Sequence, residues 1–130
     1  MRSNLAALMV LALIHSAPAH AAAPAVRAEI DALLGRLLSS DCQFFRNGSW
    51  HAASEAKAHL LRKLEYLEAR DAVKSTEQFI QLGASSSSTS GKPYLVKCGA
   101  SAPMESKAWL SNELQSLRAP AAGARCALRR

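Results

Sequence analysis

From Leu5 to Ile14 the chain carries no polar side chain, and Arg2 is the only charge ahead of that run. The stretch from His15 to Ala21 follows and closes on Ala19-His20-Ala21. A short positive start, a brief apolar run and a small-x-small ending make a secretory signal peptide. About ten apolar residues is half of what crossing a bilayer requires. Residues 1–21 are therefore read as an address rather than as fold. Ala21-Ala22-Ala23 offers a second cleavage site, with Pro24 just beyond it. The expectation is a periplasmic, secreted protein with no transmembrane segment once the signal is removed.

What remains is one small domain, expected over residues 22–118, with a flexible basic tail over 119–130. The chain has 130 residues, 49% apolar and 20% charged, which excludes a disordered or collagen-like polymer. Its pI near 9.7 is misleading. Arg125, Arg129 and Arg130 lie in the last six residues, whereas Pro24 to Arg118 holds 12 basic side chains against 10 acidic. Nucleic-acid binding needs a clustered basic face and aromatics to stack on bases, and neither is evident, so no nucleic-acid partner is expected.

Export places the three cysteines where disulfides persist. Cys42 and Cys98 flank expected structured elements, and Cys126 sits in the tail. Cys42–Cys98 is the expected bridge, with Cys126 idle or joining two chains. No Cys-x-x-Cys pair exists and only two histidines survive maturation, so neither a metal nor a cofactor is expected.

Val26, Ile30, Leu33, Leu34, Leu37 and Leu38 recur at three and four residues, the signature of one helical face. Asn47-Gly48 is a strong turn signal. A long helix is expected from about His51 to Ala72, with Ala53, Ala56, Leu60, Leu64 and Leu67 as its seam. Ser75 caps a third helix, with Gln78 at the capping-box position. Pro93 to Cys98 reads as a short strand or extended arm, whose obvious partner is Gln43 to Arg46. A last helix runs from about Glu105 to Leu117, with Trp109, Leu110, Leu114 and Leu117 inward. The expected fold class is mainly α: a small single-domain bundle of about four helices with a short two-stranded or extended element and one disulfide.

The series Cys42, Phe45-Arg46-Asn47-Gly48-Ser49-Trp50, Glu55-Ala56, His59-Leu60, Lys63 and Tyr66 is distinctive. It continues through Ser75 to Ile80, Ser87 to Tyr94, Val96, Cys98 and Trp109-Leu110. In this combination the chain resembles the YfeK-like family of small exported bacterial proteins. The resemblance implies a periplasmic location and one small domain, and it brings no catalytic residues, since the family has no established activity. His51 departs from the family pattern, in which an aromatic is commoner after Trp50.

Three constellations carry candidate chemistry. At 100° per residue, Glu55, His59, Arg62, Lys63, Tyr66 and Arg70 share a stripe about 100° wide beside the leucine seam. It is read either as a polar binding surface centred on His59 and Tyr66, or as a solvated flank with close pairs such as Glu55–His59. The serine run over Ser85–Ser90, with Ser88, Ser90 and nearby Tyr94 as its candidate ligand-binding residues, is either a ligand-holding arm or a soluble linker. Arg46, Asn47 and Trp50 around the turn suit a carboxylate or a sugar, unless Arg46 simply lies over the Trp50 indole. No complete catalytic set is present. The leading expectation is a non-catalytic binding or interaction module for an envelope protein or cell-wall material. The alternative is a small hydrolase pairing the serine arm with His59.

Overall fold

The structure is a computed structural model, and it describes residues 22–120. The signal segment, Cys126 and all but the first two residues of the tail lie outside the described residues.

Four helices and four strands follow one another as α1 (Pro24–Ser39), β1 (Gln43–Arg46), β2 (Ser49–His51), α2 (Ala53–Glu68), α3 (Thr76–Gly83), β3 (Leu95–Lys97), β4 (Met104–Glu105) and α4 (Ser106–Arg118). The strands form one antiparallel sheet in the order β2-β1-β3-β4. This is an α+β fold. The expected mainly α bundle with two strands is corrected by β2 and β4, which widen the anticipated β1–β3 pair into a sheet.

The physical reason for β2 lies in the turn. Asn47 and Gly48 both have positive φ, 49° and 84°. That conformation matches the right-handed twist of two strands and closes a two-residue hairpin. The chain thus returns beside β1, pairing Phe45 with Trp50 and Phe44 with His51, instead of entering α2 at once. His51 belongs to the sheet, so α2 begins two residues later than its periodicity suggested. It also ends earlier, at Glu68, where Asp71 adopts a left-handed φ of 53°. Asp tolerates that conformation better than most residues, so this stop left no Gly or Pro in the sequence.

Other expectations stand in the structure. α1 buries Ile30, Leu33, Leu34 and Leu37 completely, whereas Leu38, expected on the same face, is 44% exposed. Pro24 at its start presets the helical φ, and its missing N–H leaves no donor unsatisfied. The Ser75 hydroxyl accepts from the Gln78 amide at 3.1 Å, capping α3. Gln78 Oε1 reaches back to the Lys74 amide at 2.8 Å, one residue before the cap. Gln43 faces Lys97 in the β1–β3 register, and the next residues outward, Cys42 and Cys98, are joined by a disulfide. The bridge fastens the end of the central strand pair.

α1 packs on α2, α3 and α4, while the sheet packs against α2 and α4. Between these layers lies the core of Leu60, Leu64, Phe79, Val96, Trp109 and Leu110. Phe44 meets Trp109 edge-on at 5.8 Å. Strand alternation assigns the sheet's faces: Phe44 and Arg46 point the same way on β1, and Val96 lies opposite Phe44. Phe45, Trp50 and Leu95 share the other face. No helix of the described residues is long and apolar enough to cross a membrane.

Candidate functional site

On its inner side the sheet delivers Arg46 from the end of β1 and Tyr94 from just before β3, and α2 delivers His59 and Lys63 beside the buried Leu60 and Leu64. These four side chains form one connected group. Arg46 Nη1 lies 3.2 Å from His59 Nδ1, and His59 Nε2 lies 3.0 Å from the Tyr94 hydroxyl. Lys63 Nζ donates to the same hydroxyl at 3.2 Å and to the Ser86 carbonyl at 2.9 Å. It also stands 5.0 Å from the Tyr94 ring centroid, and His59 meets that ring edge-on at 5.8 Å.

The protonation pattern follows from donor and acceptor chemistry. A guanidinium has only donors, so His59 Nδ1 must be the bare acceptor nitrogen. The imidazole proton then sits on Nε2 and is donated to Tyr94. Burial, together with the positive charges of Arg46, Lys63 and Arg62, pushes the His59 pKa down to about 4. His59 is therefore neutral at neutral pH. Burial and then Arg46 pull the Lys63 ammonium down from its ordinary value. Tyr94 is held up by burial, against the opposing pull of Arg46. With two donors on its oxygen, the Tyr94 hydroxyl keeps its own O–H as a donor.

Beside this group is a small, partly open cavity of about 30 Å³, lined by Phe44, Phe45, Ala56 and Leu60 together with Arg46, His51, Glu55, His59, Tyr94 and Ser106. That is room for roughly two water-sized groups. On the other side of His59 an open groove runs past Arg62, Lys63, Tyr66, Leu82 and Ser88.

The expected site residues divide accordingly. Arg46, His59, Lys63 and Tyr94 come together. Glu55 lines the cavity but bonds His51 Nδ1 at 2.9 Å rather than His59. Tyr66 and Ser88 line the groove, and the exposed Tyr66 ring is covered by the Arg70 guanidinium, 3.4 Å from its centroid. Asn47 is spent on the hairpin turn. Trp50 stacks against Phe45 at 5.1 Å on the sheet's opposite face, so Arg46 does not lie over it. The serine run makes its own hydrogen bonds: Ser87 is buried, its hydroxyl accepting from the amides of Thr89 and Ser90, both at 3.4 Å. Ser90 Oγ accepts from the Lys92 amide. Both nitrogens of His59 are engaged, by Arg46 and Tyr94, and neither bonds a serine. His51, missed from sequence, was legible once the Asn47-Gly48 hairpin is drawn, because that register sets it opposite Phe44.

Compared with known proteins, residues 24–118 match the profile of a family of unknown function, DUF5329. The chain belongs to this family. It is also similar to the Uncharacterized protein YfeK of Salmonella typhimurium, with 44% identity over 87 residues, 65% of this chain and 71% of that protein. The family match spans every element of the fold, from α1 to α4, and takes in the whole Arg46–His59–Lys63–Tyr94 group. No solved structure matches the chain.

Proposed function

We propose that this family member is an exported, periplasmic binding module, and that the Arg46–His59–Lys63–Tyr94 group receives a carboxylate of a cell-wall or envelope component. One observation carries the reading. Arg46 and Lys63 are half-buried cations with no carboxylate partner among the described residues, whereas Arg36 is paired with one carboxylate and Arg27 and Arg118 with two each.

Half-buried charge without a counter-ion is costly, and such a site gains by binding one. Donors in the group outnumber acceptors. Arg46 spends one N–H on His59, and the Tyr94 O–H is unspent. A guanidinium fork matches a planar carboxylate, and the cavity beside it has the size of such a group. Neutral His59 adds no further positive charge to repel Arg46 and Lys63. Its part is to orient Arg46 and Tyr94. Support for export comes from the Ala19-His20-Ala21 ending and from the disulfide, which suits an oxidising compartment.

The test is calorimetric binding of soluble muropeptides with free carboxylates and of the same fragments amidated. Binding of the free form alone, weakened about tenfold in Arg46→Gln, is expected. Equal binding of the amidated fragments, or an unaffected Arg46→Gln, overturns the proposal.

A further inference from the structure

A carboxylate far from this site carries a second reading. Glu68 closes α2 with its residue only 9% exposed, and Ala22 is buried to the same degree. Glu68 Oε2 accepts from the Ala22 nitrogen at 3.2 Å, and Oε1 from Arg27 Nη1 at 2.5 Å. Arg27 is shared, since its Nε bonds Asp31 at 3.1 Å. One guanidinium thus serves two carboxylates, and this corner of the fold is short of a positive charge.

Given the export proposed above, on which this rests, we infer that the chain is processed between Ala21 and Ala22 and that the new α-ammonium of Ala22 completes an ion pair with buried Glu68. The step is a hydrolysis by a membrane-bound signal endopeptidase. Water adds across the Ala21–Ala22 peptide bond, the C–N bond breaks, Ala21 leaves as a carboxylate and Ala22 keeps the nitrogen as an ammonium. An amide donor to Glu68 becomes a charged donor at the same position, and hydrogen bonds of that kind are about twice as strong as neutral ones.

Two independent observations meet at this bond: the small-x-small ending at Ala21 in the sequence, and a buried carboxylate aimed at the next nitrogen in the structure. Cleavage after Ala23 forfeits three things. Ala22 leaves the core, Glu68 Oε2 loses its partner, and the Ala23 carbonyl that accepts from the Arg27 amide at 2.9 Å is gone from the start of α1.

The test begins with the full 130-residue chain expressed in an exporting bacterium and the N-terminus of the periplasmic product mapped by mass. Ala22 is the expected first residue. A periplasmic product starting at Ala23 or Pro24 overturns the inference and leaves export standing. An uncleaved cytoplasmic product sinks export and the inference together. Next, the mature protein is compared with the same chain carrying one extra Gly before Ala22. The extension should raise the unfolding constant about tenfold, and Glu68→Gln should reduce that difference to less than twofold. Should Glu68→Gln not fold, the acetylation rate of the mature α-amine substitutes, expected about tenfold slower than in a peptide of the same first residues. An extension without effect, or an α-amine as reactive as the peptide's, contradicts the pairing.

Discussion

Arg46 lies 3.2 Å from His59 Nδ1, and because a guanidinium can only donate, this one contact fixes the imidazole as neutral with its proton on Nε2. The rest of the group follows: Nε2–H to the Tyr94 oxygen, Lys63 to the same oxygen, and the phenol proton left for a ligand.

Keeping His59 neutral links stability to pH. In the unfolded chain it takes a proton near 6.5, in the folded one only near 4. Between those values the unfolded state binds more protons, so stability falls as pH is lowered through that window. Solvent retained around the ring reduces the effect to on the order of 1–2 kcal/mol. Urea unfolding at pH 7 and pH 4.5 should show that loss in the native protein, and His59→Gln should remove it from the difference.

Tyr94→Phe takes away the oxygen that accepts from both His59 and Lys63. The half-buried His59 Nε2–H is left unpaired and Lys63 keeps only the Ser86 carbonyl, at a cost of about 1–3 kcal/mol. Thermal unfolding should register it, while the Lys63–ring contact at 5.0 Å remains.

The Cys42–Cys98 bridge joins residues 56 apart in sequence. Chain-entropy reasoning assigns such a loop about 4 kcal/mol. Cys42→Ala with Cys98→Ala should lose about that much in denaturant unfolding, and reducing agent should then have no further effect.

Gly48 has φ 84° in the hairpin turn, with open space around it. Gly48→Ala should therefore cost about 1 kcal/mol from backbone strain alone. Asn47→Gly should be neutral to within a few tenths, measured in the same unfolding assay.

Much of this architecture was legible from residues whose message is local. The seams of α1 and α4, the Ser75 cap and the pairing of the two inner cysteines needed only periodicity, side-chain capping and compartment. The sheet was harder. Asn47-Gly48 marks a turn, but whether the chain then pairs back or enters a helix depends on Phe44 and Trp50 finding opposite faces, which is a tertiary matter. β4 is two residues long and has no pattern of its own. Missing β2 also misplaced Trp50, because strand alternation sends it away from Arg46. On α2 the angular stripe rightly put His59 and Lys63 together. Nothing local could say that Arg46 and Tyr94, 13 and 35 residues from His59, would complete the group.

The recognition of an anion by Arg46 and its neighbours is tested most directly by titrating ¹⁵N-labelled protein with acetate, the simplest carboxylate. Saturable shifts at the Arg46 side chain, His59 and the Tyr94 amide, with a dissociation constant in the millimolar range and absent from Arg46→Gln, are the predicted result. Shifts that grow linearly without saturating, or that persist unchanged in Arg46→Gln, would contradict it.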